Sequence, residues 1–498
     1  GLTERVLLKF ESVSAMSKRK AESQDPEAGA AGQVEGVCAL YLEKKRRYCK
    51  FPALPGTKFC GVHREEGKGQ DPRVPCPLDP THTVFLSKVN SHVKKCSKQR
   101  DRDYAAAQPY YGLRANAGED TSGEADGSGE WSQGHEDPRW GAHLEAAFKK
   151  AITLLMDDSV IPMLLPDQLE LEQVENAHGG GDDGGFDGPV EGWPQWMQAI
   201  KDRQVHIDRH AVQNGFITLS LLSQMTKRPR AELSLADARS AFEGSLVVEY
   251  GCGRGGLGRW AMLAAVEAGC CTDAAQSTPY PGPWFILVDR ETRRHKAENK
   301  SDVFHRLESV RLRYDIVDFS LGRLAAPEAG SHESPDLSGR MIDPDGKRRI
   351  GEAWQGLRRI AEGAMEWPPK KIAVCAKHLC GAATDIALRS AASVAKAEVR
   401  LCVATCCHHS CDYDLYVARS FLVEVGAARG RKEFQMLQKS CGWSFGVASA
   451  EKRRIGLLSK RLLDLGRLHF LRAKFGQGST IKAYCEPRLS PENLVLLV

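Results

Sequence analysis

Four residues able to bind a soft metal ion, Cys76, His82, His92 and Cys96, fall within 21 positions at spacings x5, x9 and x3. Two thiolates and two imidazoles are the donor set of a closed, tetrahedral structural zinc site. The apolar residues between them, Val84, Phe85, Leu86 and Val89, are too few to hold so small a unit by burial. The metal must then supply the folding energy. A second set, Cys38, Cys49, Cys60 and His63, is spaced x10, x10 and x2 and offers four ligands again. Lys44-Lys45-Arg46-Arg47 lies inside it, among Tyr41, Tyr48, Phe51 and Phe59. Cations that meet phosphate, interleaved with rings that stack on bases, point to RNA.

A different chemistry is written further along. The apolar run Leu246–Tyr250 enters Gly251-Cys-Gly253-Arg-Gly255-Gly256-Leu-Gly258. Glycines after a strand let the backbone approach a nucleotide-like ligand and let the next helix pack closely. Dinucleotide enzymes and methyltransferases share such a turn. Glu249, two residues before Gly251, makes the pattern Glu-x-Gly-x-Gly-x-Gly, which resembles the first motif of class I methyltransferases. That resemblance implies S-adenosylmethionine as cofactor, with Glu249, Gly251, Gly253 and Gly255 around its methionine end. Asp289, ending Trp284–Asp289, is placed for the ribose hydroxyls. Tyr314–Asp318 reads as a third strand, and Asp318 resembles the residue that contacts adenine.

Two late segments follow apolar runs and fall where strands would end: Lys377-His378-Leu-Cys380-Gly381, and Cys406-Cys407-His408-His409-Ser-Cys411-Asp412. Doubly wound enzymes place their chemistry at carboxyl ends of strands. Lys377 or His378, with His408 and His210 behind them, are the candidates for handling a proton or positioning a hydroxyl. The Cys/His run from 406 to 411 could bind a third metal ion. Ligands so close in sequence seldom all turn to one centre, and small residues packed beside a cofactor explain the run as well.

These residues need elements to position them. Runs Leu246–Tyr250, Trp284–Val288, Ile372–Ala376 and Val399–Ala404 read as buried strands, and 258–268 and 384–397 as helices between them. Strand–helix alternation predicts an α/β domain with a doubly wound parallel sheet. The apolar rhythm Leu144, Phe148, Ile152, Leu155 predicts one amphipathic helix upstream, and 452–474 reads as a basic helix able to grip phosphates. The chain has 498 residues, 42% hydrophobic and 27% charged, enough for several domains. Residues 38–102 carry 15 Lys/Arg against 6 Asp/Glu, whereas 115–199 carry 3 against 18. This contrast separates a basic head from an acidic connector. No run of 18 apolar residues occurs, so no membrane helix is expected. The first residues lack the order of a signal peptide. With no secretory signal, the 16 cysteines suit a reduced, intracellular compartment, nucleus or cytoplasm, and point to metal or catalysis before disulfides. Met16, followed by Ser17-Lys18-Arg19-Lys20, reads as the natural start.

Together these motifs resemble one family, the eukaryotic tRNA acceptor-stem 2′-O-methyltransferases that modify nucleotide 4. The resemblance covers about 36 to 498 and includes Arg209-His210-x-x-Gln213, Glu451-Lys-Arg-Arg-Ile-Gly456 and Pro491-Glu-Asn493. It implies a class I Rossmann-like methyltransferase domain behind two zinc modules, with tRNA as partner and S-adenosylmethionine and Zn2+ as cofactors. The expected organisation is a disordered segment 1–36, a CCCH-like module 37–66, a CHHC finger 73–100, a linker 101–192 with one helix and an acidic Gly-rich insert, and a catalytic domain 193–498 with a polar insertion at 320–350. The inserts at 176–192 and 320–350, and Asp289 where Glu is expected, depart from the family. A Rossmann oxidoreductase would share the glycine turn but leave the zinc sets unexplained. A non-catalytic zinc-finger RNA-binding protein would need neither Glu249 nor the turn.

Overall fold

The computed structural model describes residues 36–42, 47–60, 73–99, 103, 111–118, 136–156, 161–165, 188–204, 207–271, 283–291, 306–313, 315–325, 369, 371–395, 397–444 and 449–498. His63, Tyr314, nearly all of 1–36, and most of the inserts at 176–192 and 320–350 lie outside the described residues. The chain forms two compact units, Gly1–Gln99 and Arg100–Val498.

In the first unit two short hairpins recur. Strand β1 (Tyr41–Leu42) pairs antiparallel with β2 (Arg47–Tyr48), and β3 (Arg73–Cys76) with β4 (Asp79–Phe85). Helix α1 (Val89–Val93) follows the second hairpin. Among the described residues of this unit, the fully buried ones are the cysteines Cys38, Cys49, Cys60, Cys76 and Cys96. Among the described residues the first hairpin packs Cys38, Cys49 and Cys60 against Phe59.

The second unit is mixed α/β around one seven-stranded sheet. Its strands are β5 (Ser245–Tyr250), β6 (Trp284–Asp289), β7 (Glu308–Arg313), β8 (Lys371–Cys380), β9 (Glu398–Cys406), β10 (Thr480–Ala483) and β11 (Leu494–Leu497). The order is β10-β11-β9-β8-β5-β6-β7. The five strands β5 to β9 pair in parallel, while β11 pairs antiparallel with both β9 and β10. Both faces are covered, which is why β5 and β6 are apolar throughout. Side chains alternate across the sheet. Leu246, Val248 and Tyr250 join the cluster on one face, with helices α2 (Trp140–Leu155), α7 (Ala382–Ala392), α8 (Arg419–Val425), α9 (Arg431–Ser440) and α10 (Ala450–Phe475). Val247, Phe285, Leu287, Ala373 and Cys375 join the other, with α3 (Gln195–Asp202), α4 (Arg209–Thr226), α5 (Leu235–Phe242) and α6 (Gly256–Glu267).

Three expectations change. The third strand is Glu308–Arg313, not Tyr314–Asp318. Among its described side chains this edge strand buries alternate residues, Val310 and Leu312, so it lacks the continuous apolar run that marks the interior strands. Asp318 instead closes a turn, its N donating to the Asp315 carbonyl at 3.0 Å while Asp315 Oδ1 accepts from Val317 N at 3.1 Å. The helix assigned to a linker belongs to the second unit's core, with Trp140 and Leu144 wholly buried and Trp140 Nε1 donating to Ser440 Oγ at 2.9 Å. The basic stretch 452–474 is also not a solvated phosphate grip along its length. Helix α10 is buried from Gly456 to Leu468, and its central cations face protein. Arg467 donates to Asp385 Oδ2 at 2.7 Å and pairs with Asp464 at 3.2 Å, all three side chains inaccessible. Among the described residues no helix is long and apolar enough to cross a membrane.

Candidate functional site

The CHHC set converges. Cys76 ends β3, His82 lies on β4, His92 on α1 and Cys96 just beyond it. His82 Nε2 and His92 Nε2 are 3.0 Å apart, His92 Nε2 and Cys76 Sγ 3.2 Å, Cys96 Sγ and His82 Nε2 3.8 Å, and the two sulfurs 3.9 Å. A zinc ion with bonds of about 2.3 Å to sulfur and 2.0 Å to nitrogen requires tetrahedron edges of about 3.3–3.8 Å, so the donors fit that ion. Cys38, Cys49 and Cys60 likewise bring their sulfurs within 4.8 Å of one another.

In the second unit the glycine turn joins β5 to α6 beside the point where the strand order reverses, the place where open α/β sheets bind ligands. Gly251, Gly253 and Gly255 all have left-handed backbones, φ 61°, 52° and 81°, which side chains disfavour. Among the described residues, a Cβ on Gly253 would meet the Gly251 carbonyl 4.0 Å away and nothing nearer, whereas one on Gly251 would lie 2.7 Å from Leu379 Cδ2. The space at Gly253 is therefore the part of the turn open to a ligand. Glu249 is buried and its Oε2 accepts from Gly258 N at 2.8 Å, at the start of α6. Helix N-termini favour such negative charge. Asp289 Oδ2 accepts from Gly253 N at 2.7 Å, so the end of β6 braces the turn. Asp318 is differently engaged: its Oδ1 accepts from Arg114 N at 2.7 Å and its backbone carbonyl from Gly112 N. It anchors the segment 111–118, a contact across 204 positions that no local pattern announces.

The next strand supplies the candidate chemistry. Counting by twos from Ala373 and Cys375, Lys377 points to the face that holds α4. Its Nζ donates to Asn214 Oδ1 at 3.0 Å and to the His210 carbonyl at 3.2 Å. Burial, partly opposed by Asp208, brings its ammonium down to about 8. The ladder between β8 and β9 then shifts register between Ala376 and Leu379. His378 sits in that bulge with φ 60°. The His378 and His210 rings lie edge to face, centroids 5.8 Å apart. Desolvation, then Lys377 and His210, lowers His378 to about 4 although its ring keeps an exposed edge. A neutral imidazole at ordinary pH follows in either case.

Lys377, His378 and His210 thus come together. His408 does not join them: it is fully buried, and its Nε2 bonds Asp464 Oδ1 at 2.8 Å. It belongs to the buried Arg467–Asp385–Asp464 network beneath the site, a structural place in contrast to the proton-handling one expected. Its neighbour His409 instead lines a cavity of about 360 Å³ with Lys377, His378, Cys406, Cys407 and Glu492. Sequence reasoning missed Asn214, Asp385, Asp464 and Arg467. Asp464 and Arg467, polar residues three apart inside a leucine-rich helix, were the readable signal.

Comparison with known proteins places this architecture. Residues 227–334, 360–449 and 444–498 match the family described as methyltransferase TRM13, residues 36–64 the CCCH zinc finger of TRM13 proteins, and residues 73–97 the U11-48K-like CHHC zinc finger. The chain is 27% identical to the tRNA:m(4)X modification enzyme TRM13 of Eremothecium gossypii, covering 96% of this chain and 98% of that protein. It is 26% identical to the Saccharomyces cerevisiae enzyme of the same name, over 93% and 95%. The Homo sapiens homolog is 24% identical, over 93% and 94%. No solved structure matches the chain significantly. With both finger matches lying ahead of the methyltransferase match, in the order the sheet and the ligand clusters require, the chain belongs to the TRM13 methyltransferase family and carries its CCCH and CHHC zinc fingers.

Proposed function

We propose that the second unit is a class I Rossmann-like methyltransferase domain and that the chain transfers a methyl group from S-adenosylmethionine to the ribose 2′-hydroxyl of nucleotide 4 in the tRNA acceptor stem. One observation carries the reading: an open, left-handed glycine turn braced by Glu249 and Asp289 lies one strand away from a buried lysine whose ammonium has been brought down to about 8. The strand order, with an antiparallel β11 inserted beside β9, supports the class I assignment. The names of the relatives support tRNA as substrate.

Bound S-adenosylmethionine supplies an activated methyl on a sulfonium. The turn of Gly251, Gly253 and Gly255 would hold it, with Gly253 leaving room for its approach, Glu249 would face its methionine end, and Asp289 its ribose. Asp318 is the residue proposed for adenine. What remains for the protein is alignment and removal of one proton. Lys377, neutral in a usable fraction near pH 8, is the residue proposed to take it. His378, which lines the cavity with Lys377, and His210 are the residues proposed to help position the hydroxyl. The zinc modules would hold an A-form stem through phosphate and 2′-hydroxyl contacts. The test is transfer of labelled methyl from S-adenosylmethionine to unmodified total tRNA, with mapping of ribose-protected positions. A 2′-O-methyl in the acceptor stem is expected. RNA binding without transfer by the zinc-loaded chain would overturn the proposal in favour of a zinc-finger RNA-binding protein.

A further inference from the structure

Three cysteines not used above meet at the ends of two adjacent strands. Cys380 closes β8, Cys406 closes β9, and Cys407 follows it. Their sulfurs all lie within 4.8 Å of one another. Of the five ligands in the 406–411 run, only Cys406 and Cys407 take part. His408 turns to Asp464, and Cys411 is buried against Arg467, whose Nη2 lies 3.1 Å from its sulfur. The third sulfur comes from the neighbouring strand.

The backbone is bent to make this meeting. The register shift after Ala376 sets Cys380 opposite Cys406, and Gly381 N reaches the Cys406 carbonyl at 3.4 Å. Four non-glycine residues have left-handed backbones among those described; one, His378, lies two residues before Cys380, and another, Cys407 (φ 50°), belongs to the cluster. Such conformations persist where surrounding structure or a ligand holds them, and they gather at functional sites. No pair among the three forms a disulfide. Three thiols around one point gain little from each other as hydrogen-bond partners, whereas a thiophilic cation binds three thiolates at one centre. Cys406 and Cys407 also line the cavity that holds His378 and His409.

We infer that Cys380, Cys406 and Cys407 form a third zinc site, separate from the two fingers, with three protein thiolates and its fourth position open to the cavity. Binding converts three thiols to thiolates and releases three protons. Three protein ligands with one exchangeable position is the form that zinc takes where it meets a substrate or water. The ion clamps β8 to β9 just beyond Lys377 and His378. The inference stands on geometry alone and does not depend on methyl transfer.

The test is metal stoichiometry of the full chain, purified with zinc and dialysed, for wild type, Cys380→Ser and Cys76→Ser. Cys380 is exposed, so its substitution leaves the core intact, and circular dichroism checks this. The Cys380→Ser chain should hold one zinc fewer than wild type. The loss should add to the one caused by Cys76→Ser. Cobalt substitution should show sulfur-to-cobalt charge transfer that weakens in Cys380→Ser. Equal zinc in wild type and Cys380→Ser overturns the site. So does iron with acid-labile sulfide, or a disulfide among the three cysteines found by mass spectrometry.

Discussion

Replacing Lys377 by arginine and by methionine separates its chemical from its structural contribution. With a pKa of about 8, roughly one Lys377 in eleven is neutral at pH 7 and roughly ten in eleven at pH 9. If the neutral amine takes the hydroxyl proton, the single-turnover rate on tRNA rises about tenfold across that window. His378, at about 4, contributes no ionisation there. Lys377→Arg keeps the charge at every such pH and should lose the rise. Lys377→Met should lose about 10²–10⁴-fold in rate. The stability sign is opposite. The folded pKa is below the free value of 10.5, so folding disfavours the charged form. The cost is absent above pH 10.5, grows as pH falls, and is complete below about 8. It amounts to about 3 kcal/mol at most. Methionine removes it but leaves Asn214 Oδ1 without this donor, which costs about 1–3 kcal/mol. Lys377→Met should therefore be at least as stable as wild type at pH 7 by urea denaturation. A rate flat from pH 7 to 9, or full turnover by the methionine variant, refutes the proton-transfer argument; a clearly lower urea midpoint refutes the burial argument.

Cys76→Ser should release one zinc per chain while leaving the calorimetric melting of the second unit in place, because a metal-held finger in a separate compact unit loses its own fold alone. Arg467→Met should destabilise by about 3–5 kcal/mol in a urea titration, since Asp385 stays buried without its cation and Asp464 is left to Arg461 and His408. Gly258→Ala places a Cβ 2.6 Å from both Glu249 Oε2 and Leu287 Cδ2. The overpacking should cost about 1–3 kcal/mol, and equilibrium dialysis with S-adenosylmethionine should show weaker binding as Glu249 is displaced; an unchanged melting temperature would contradict the close approach.

Much of this was legible in one dimension, for a physical reason. The CHHC ligands lie within a single hairpin and helix, so their spacing along the chain nearly sets their spacing in space. The glycine turn and Glu249 form one continuous backbone segment, and the strands β5, β6, β8 and β9 declare themselves because burial on both faces requires unbroken apolar runs. The edge strand β7, whose Ser309 and Arg311 alternate half-buried with the buried Val310 and Leu312, carries no such run and was misplaced by several residues. The assignments that failed or were missing all depend on distant contacts. Whether a cation on α10 meets phosphate or a buried carboxylate is decided by Asp385, 82 positions from Arg467. Asn214 meets Lys377 across 163 positions. His408 and His409, neighbours in sequence, are divided between the core and the cavity. The third sulfur of the Cys406–Cys407 pair comes from the next strand because a bulge in β8 turns Cys380 toward it. Sequence by itself determined which chemistry the chain can hold, since ligand type and local spacing are properties of short segments. Only the tertiary structure decided which charges are buried and which thiols share a centre, since both depend on how the sheet brings remote segments into contact.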